Sequence, residues 1–395
     1  MAQQKKKIRA VIIFLLFIVY FLIAARPIPL ETVLVPRWIS SLTANSSLAA
    51  GGSLTEDGSF ESGFPLSLSG AVQTSGQLLP FTLGNRFGYV YPSGQFAINR
   101  VKTRDIYLSE KMWIEYDAQP ESLEIKNITE DTAISIENTR GYPVLLDNRV
   151  FIIGSEQNAL SEIGEDGSVL WTYDFGAPLT CIDAAAGLVL TGSLDGIIEI
   201  LNSEGKRIFY FEPGGSRYAV IVGCALSAGG TRLGIICGVD QQRFLLFESY
   251  GSADGEYKVV YHEFLGDGFR RPVRIFFTDE DRRVIYEREG GIGCYNIRSR
   301  YGINIPLDGE IAAIDYSGDQ GIFFLITSRS AQRKEFIGIK FPQERWSFSR
   351  FRGDARDTVF LKAEFKSDDV FLGRTGSMLV AGGGTTLISF DLEER

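Results

Sequence analysis

Ser161–Phe175 reads SEIGEDGSVLWTYDF: two short apolar runs meet at an acidic corner carrying Gly164 and Gly167, and the second run places Trp171, Tyr173 and Phe175 on alternate positions. Period-two alternation across a glycine-bearing turn is the pattern of a β-hairpin. The pattern recurs at once. Leu179–Pro213 reads LTCIDAAAGLVLTGSLDGIIEILNSEGKRIFYFEP, four apolar runs separated by AAAG, SLDG and NSEG. Short runs rich in Val, Ile, Leu and aromatics, with glycine at each corner, specify a four-stranded antiparallel meander. EIGEDGSVLWTYDF aligns with EILNSEGKRIFYFEP as third strand, turn and fourth strand of successive units. The opening stretch is therefore the outer hairpin of a repeated sheet.

Further copies begin near Phe87 (FGYVYPSGQFAINRV), Gly141 (GYPVLLDNRVFIIGS), Tyr218 (YAVIVGCALSAGGTRLGIICG), Pro272 (PVRIFFTDEDRRVIYERE), Glu310 (EIAAIDYSGDQGIFFLIT) and Thr358 (TVFLKAEF, then SMLVAGGGTTLISFDL). With Leu179 they make about seven units of roughly 45 residues, the period of propeller blades. The pattern predicts an all-β fold over 78–395, a seven-bladed β-propeller of four-stranded antiparallel blades. Six or eight blades and a two-sheet sandwich are the alternatives. The last unit ends after its third strand, LISFDL. GQLLPFTLG (Gly76–Gly84) precedes the first unit and is expected to supply the missing outer strand, which would close the ring and leave no open edge.

Hydrophobic content of 45% suffices for a core, which excludes wholesale disorder. The formal charge is −9, but Lys5, Lys6, Lys7 and Arg9 precede residue 10 with no acid among them, leaving −13 for the remainder. Nucleic-acid binding rests on Lys and Arg neutralising phosphates, so an acidic body argues against it.

Residues 1–9 read as a basic cytoplasmic tail. AVIIFLLFIVYFLIAA (Ala10–Ala25) is uninterrupted by polar residues and is followed by Arg26 and Pro27. As a helix it would run about 24 Å, against a hydrocarbon core of about 30 Å, and flanking Lys and Arg can snorkel. Residues 10–26 are expected to form a transmembrane signal-anchor helix. A cleaved signal peptide is the rival, although Leu22 or Ile23 stands where cleavage prefers a small residue. The positive-inside rule then gives a single-pass inner-membrane protein with a periplasmic body. Residues 27–77, dominated from Ser40 to Gly76 by Ser, Gly, Ala and Thr, are expected to be a flexible tether.

ALSAGGTRLGIICG (Ala225–Gly238) resembles the first hairpin of a WD40-like blade. GEDGSVLWTYDF resembles the glycine-turn-to-Trp strand of pyrroloquinoline-quinone-like (PQQ-like) propellers, the superfamily that includes the outer-membrane-assembly lipoprotein BamB. The resemblance covers residues from about 78 to the end as a pattern and two or three blades as a motif; the Gly-His and Trp-Asp dipeptides of WD40 blades do not occur. It implies a binding or scaffolding module for other envelope proteins. The alternative is an enzyme or small-molecule binder with a site in the central channel, as in quinoproteins.

Chemistry is sparse. His262, in KVVYHEFLG, is the only histidine, so a His-rich metal site is impossible, and no Gly-x-Ser-x-Gly elbow offers a nucleophile. Cys181, Cys224, Cys237 and Cys294 form no Cys-x-x-Cys. No catalytic residue, cofactor or metal is expected. Cys224 and Cys237 flank the hairpin at Gly229-Gly230; they are core residues or, in an oxidising compartment, a disulfide. REGGIGCYN and VAGGGTTL lead into strands rather than helices and read as hairpin corners, not phosphate cradles. TDEDRR reads as a solvated turn.

One distribution points to function. Connections from one blade's outer strand to the next blade's inner strand gather on one face, and here they read GGSRY, GDGFRRP and SRFRGDARD. They bring Arg217, Tyr218, Phe269, Arg270, Arg271, Phe351, Arg352 and Arg356 to one rim. Arginine and aromatics are enriched at interface hot spots, so this rim is the candidate partner-binding face. The bland alternative pairs these arginines with Asp267, Asp354 and Asp357 nearby.

Overall fold

The computed structural model describes residues 31–43, 77–118, 120–137, 139–250, 255–266, 268–278, 280–318, 321–341 and 358–394. Among these, 31 strands and no α-helix make eight antiparallel sheets, the blades of a propeller. The first strand in the chain is β1 (Thr32–Ser41). Blade 1 holds β2 (Leu79–Leu83), β3 (Arg86–Val90) and β4 (Phe96–Val101). Blade 2 holds β5 (Asp105–Leu108), β6 (Met112–Tyr116), β7 (Ser122–Asn127) and β8 (Thr132–Glu137). Blade 3 holds β9 (Gly141–Leu146), β10 (Arg149–Gly154), β11 (Ala159–Ile163) and β12 (Val169–Asp174). Blade 4 holds β13 (Leu179–Ala185), β14 (Leu188–Ser193), β15 (Ile198–Leu201) and β16 (Arg207–Phe211). Blade 5 holds β17 (Ile221–Leu226), β18 (Arg232–Cys237), β19 (Gln242–Ser249) and β20 (Tyr257–Gly266). Blade 6 holds β21 (Ile275–Thr278), β22 (Arg283–Arg288), β23 (Gly291–Asn296) and β24 (Tyr301–Pro306). Blade 7 holds β25 (Glu310–Ile314), β26 (Ile322–Ser328), β27 (Arg333–Lys340) and β28 (Val359–Lys366). Blade 8 holds β29 (Val370–Thr375), β30 (Met378–Gly383) and β31 (Thr386–Glu394), with β1 added outside β31.

By compactness the chain divides at Val35 and Asp391. Pro36–Asp391 make the large unit, which holds the blades apart from the first four residues of β1 and the last three of β31. Within the large unit, the core lies between successive sheets. Leu190, Ile198 and Ile200 of blade 4 bury against Ile235, Leu245 and Phe247 of blade 5. Phe276, Ile285 and Ile292 of blade 6 bury against Phe323, Leu325 and Ile337 of blade 7. Each strand alternates its side chains between two neighbours, so a run apolar on both faces is buried on both, as in the fully buried Ile221–Leu226.

A repeated device registers one blade on the next. Trp38 of β1 and Trp171 of β12 each lie on a glycine in the turn before the following blade's outer strand, Gly94 and Gly205. A Cβ on Gly94 would sit 2.7 Å from the Trp38 ring, and one on Gly205 would sit 2.5 Å from the Trp171 ring. Both glycines also have positive φ, +85° and +73°, so only glycine meets both demands. The indole of Trp38 donates to the Pro92 carbonyl at 2.9 Å, and that of Trp171 donates to Glu162 at 2.8 Å. The tryptophan of SEIGEDGSVLWTYDF is thus an inter-blade contact.

The direction of β2 is informative. The Thr375 hydroxyl at the end of β29 donates to the Gln77 carbonyl just before β2, and Gly84 just after β2 lies beside Asp369 just before β29. The two strands are therefore antiparallel. By contrast, Arg374 near the end of β29 meets Asp315 just after β25, as parallel inner strands require. Blade 1 accordingly fills the second to fourth positions, and no described strand occupies its innermost one.

Three expectations need correction. There are eight blades, not seven. The uncounted one is blade 2, whose strands SLEIKN and TAISIE alternate buried and exposed residues instead of forming apolar runs, so their signal is weak. TVFLKAEF is the outer strand of blade 7, and the last blade begins at Val370. The last blade does stop after its third strand and does borrow a fourth, but the lender is β1, ten residues inside the segment expected to be a tether. Pro36 is tolerated there because an outermost strand needs no donor on its free side. The expected helix over residues 10–26 lies outside the described residues; among those described, no helix is long and apolar enough to cross a membrane.

Candidate partner-binding rim

Two of the three expected rim loops are described: 212–220, which leads from β16 into β17, and 267–274, which leads from β20 towards β21, Asp267 excepted. Phe351, Arg352 and Arg356 lie outside the described residues. The first loop is held by Asp240 in the β18–β19 turn. Asp240 accepts from the Ser216 hydroxyl and from the Arg217 amide at 3.3 Å, and the Ser216 bond holds its carboxyl below the usual range. The Val239 amide donates to the Tyr218 carbonyl at 3.2 Å. With the backbone fixed this way, the Arg217 side chain is exposed and Tyr218 is 58% exposed.

The second loop is held from the same turn. Gln242, fully buried, accepts from the Phe269 amide at 3.4 Å and donates to its carbonyl at 3.3 Å. One short turn, 238–241, and the glutamine after it thus clamp both loops on either side of blade 5. Arg271 is turned to a structural task. Its guanidinium stacks 4.3 Å from the Phe269 ring and forks onto Glu287 at 2.6 and 3.1 Å. Arg274 reaches the same carboxylate at 3.6 Å, and Glu287 is only 3% exposed. Removing either arginine would leave a buried charge short of partners. Among the described members of the expected set, Arg217, Tyr218 and Arg270 are exposed. Arg271, Pro272, Val273, Arg274, Glu310 and Ile311 line an open cleft of about 460 Å³.

Sequence reasoning missed Asp183 on β13. It accepts from the Leu226 amide at 2.7 Å and the Ala184 amide at 2.9 Å, which ties blade 4 to blade 5. Burial pushes its carboxyl up to about 6, against the downward pull of those two bonds, and Asp147 adds a smaller push upward. Tyr107 of blade 2 is raised by burial first, then by Tyr116 and by Asp183. A lone acid in LTCIDAA was the only signal. A raised carboxyl pKa adds stability below the unfolded value near 3.8 that is lost as pH rises through about 6. Asp183→Asn keeps an acceptor for Leu226 and removes the charge. It should be about 1–3 kcal/mol more stable than wild type near pH 8, with the advantage gone below about pH 4. Urea unfolding at both pH values checks this, and equal stability of the two chains throughout would contradict it.

The remaining residues are placed as follows. Cys224 pairs across the ladder with Ile235, and Cys237 with Ile221, so these two are not opposite each other, and all four cysteines are free thiols. His262 is exposed on the edge strand β20, its ring 6.1 Å from Phe264. REGGIGCYN and VAGGGTTL form the β22–β23 and β30–β31 corners. TDEDRR is more than a solvated turn: Asp281 accepts from the Ala228 and Gly229 amides of blade 5. Among the described residues, no group of three His, Cys, Asp or Glu is placed to hold a metal.

A family model described as beta-propeller protein matches residues 1–394, and the chain belongs to that family. It is 28% identical over 306 residues to an uncharacterized protein of Treponema pallidum (strain Nichols), covering 77% of this chain and 78% of that one. Among solved structures it is similar to BamB from Moraxella catarrhalis, with a TM-score of 0.52 at 10% identity over 91% of this chain and 100% of that one. It is also similar to the computationally designed Ika8 protein, with a TM-score of 0.53 at 12% identity over 80% of this chain and 96% of that one. At such identities the likeness shows the fold alone.

Proposed function

We propose that this propeller is a protein-binding scaffold of the cell envelope and that the rim around blade 5 is its contact face. The observation that carries the reading is the clamp. A single turn fixes two loops whose exposed ends are Arg217, Tyr218 and Arg270, in a chain that carries −13 beyond residue 9. Pre-ordered loops lose little entropy on binding, and exposed guanidinium and phenol groups on a fixed frame are good anchors. An acidic or polar protein surface is the complementary partner. The basic start of the chain and the apolar run after it support a periplasmic body held at the inner membrane, within reach of other envelope proteins.

Crosslinking in intact cells tests the rim. Arg217→Glu with Arg270→Glu should cut partner capture about ten-fold or more, because both positions reverse charge without touching a buried pair. Unchanged capture would remove the proposal. Arg271 is unsuitable for this test, since its loss strands Glu287. Protease added to spheroplasts tests the location separately: a body that stays intact while a periplasmic control is cut lies on the other side. A channel site for a small molecule is the second reading, favoured by the buried, raised carboxyl of Asp183 on the inner strand β13. It would show as ligand-induced stabilisation that Asp183→Asn abolishes.

A further inference from the structure

We propose that Cys181 and Cys224 form a built dithiol site between blades 4 and 5, which a small-molecule disulfide converts into a bond joining the two inner strands. Their strands are held in register on both sides of the pair. The Thr180 hydroxyl donates to the Ile221 carbonyl at 2.5 Å, and the Leu226 amide donates to Asp183 at 2.7 Å. Between these ties the two sulfurs lie on one stretch of β14: the Cys224 thiol donates to the Leu190 carbonyl at 4.0 Å, the Cys181 sulfur lies against Gly192 two residues on, and Cys181 packs on the buried cluster that holds Cys224. The Gly192 backbone opposite Cys181 leaves room for the sulfur, since a Cβ there would lie 2.7 Å from it.

The two sulfurs differ in access. Cys181 is partly exposed, whereas Cys224 is buried and its thiol is raised by the neighbouring Cys181 first and by burial next. Cys181 is therefore the attacking sulfur. Its thiolate displaces one thiol from the reagent and becomes a mixed disulfide. Cys224 then loses its proton, attacks the Cys181 sulfur and expels the second thiol. Two S–H bonds are replaced by one S–S bond, and two electrons and two protons leave with the reduced reagent. The closed loop spans roughly forty residues and encircles the rest of blade 4, so the bond restricts the unfolded chain strongly. Cys237 and Cys294 have no such neighbour among the described cysteines and serve as internal controls.

The test uses the full chain, fully reduced and then exposed while folded to oxidised glutathione. Differential alkylation followed by peptide mapping should give a Cys181–Cys224 crosslinked peptide, with Cys237 and Cys294 still free. The oxidised protein should melt several degrees higher, and dithiothreitol should reverse the shift. Cys224→Ala should accumulate glutathione on Cys181 without a crosslink; if that variant does not fold, the wild-type map decides alone. Four alkylatable thiols after oxidation, glutathione stalled on wild-type Cys181, or a crosslink to Cys237 or Cys294 would each overturn the proposal.

Discussion

A chain beginning at residue 44 is expected to lose the monomeric propeller that a chain beginning at residue 31 retains. The difference between the two is the strand that closes blade 8. Leu42, 1% exposed, donates its amide to Thr385 at 2.8 Å, and its carbonyl accepts from the Asn99 side chain at 3.1 Å. Ser40 donates to the Gly94 carbonyl at 2.8 Å, and Arg37 pairs with Asp391 at 2.7 Å. With Trp38 lost from Gly94, the burial given up is worth about 5 kcal/mol, comparable with the whole stability of many domains. The bare edge of β31 would also become a template for pairing with other chains. Size-exclusion chromatography and circular dichroism should show oligomers or unfolded chain. A synthetic peptide covering 31–43 should restore the monomer. A shortened chain that stays monomeric with an unchanged melting temperature would be incompatible with closure by β1.

The second large effect concerns Arg374 and Asp315, which are 3% and 0% exposed and 2.8 Å apart. Asp315 also accepts from the Ser317 amide at 3.0 Å, and Arg374 donates to the Ile322 carbonyl at 3.3 Å while lying over the Phe324 ring. Burial raises the Asp315 carboxyl, and Arg374 pulls it back. Arg374→Ala removes the counter-charge and leaves a carboxylate in the core, which should cost about 3–5 kcal/mol. The cost should shrink towards acid pH, where Asp315 takes up a proton. Arg374→Met combined with Asp315→Leu should recover most of the loss, because removing a buried pair together spares its desolvation. Denaturant unfolding at two pH values reads both outcomes. A cost below about 1 kcal/mol at neutral pH would mean that water reaches the pair.

What the sequence disclosed follows from how each residue carries its signal. Blades 3 and 4 were legible because their runs are apolar and their corners carry glycine, as at Gly167, Gly196 and Gly205. Blade 2 was not, since Glu124 and Ser135 face solvent between buried neighbours and break up the apolar runs. The need for a borrowed strand could be read from the short last unit, yet its identity could not. β1 carries Pro36 and Arg37 in mid-strand and runs straight into the Ser-rich segment, which masks its alternation. On the rim, loop position located the arginines, but only a long-range partner decides their roles. Glu287 claims Arg271 from a strand sixteen positions away, whereas Arg217 contributes its backbone amide to Asp240 and leaves its side chain outside. The Cys181–Cys224 contact crosses between blades and leaves no spacing motif at all.

The closing strand also dictates when the ring can be completed. Among the described strands β1 leaves the ribosome before all others and its partner β31 after all others, so β1 must wait unpaired while seven blades assemble behind it. The nascent arc carries an uncovered edge throughout synthesis, and final locking is a search over nearly the full length of the polypeptide. Chaperone dependence during that interval, and slow last-step refolding after dilution from denaturant, are the behaviours this topology demands.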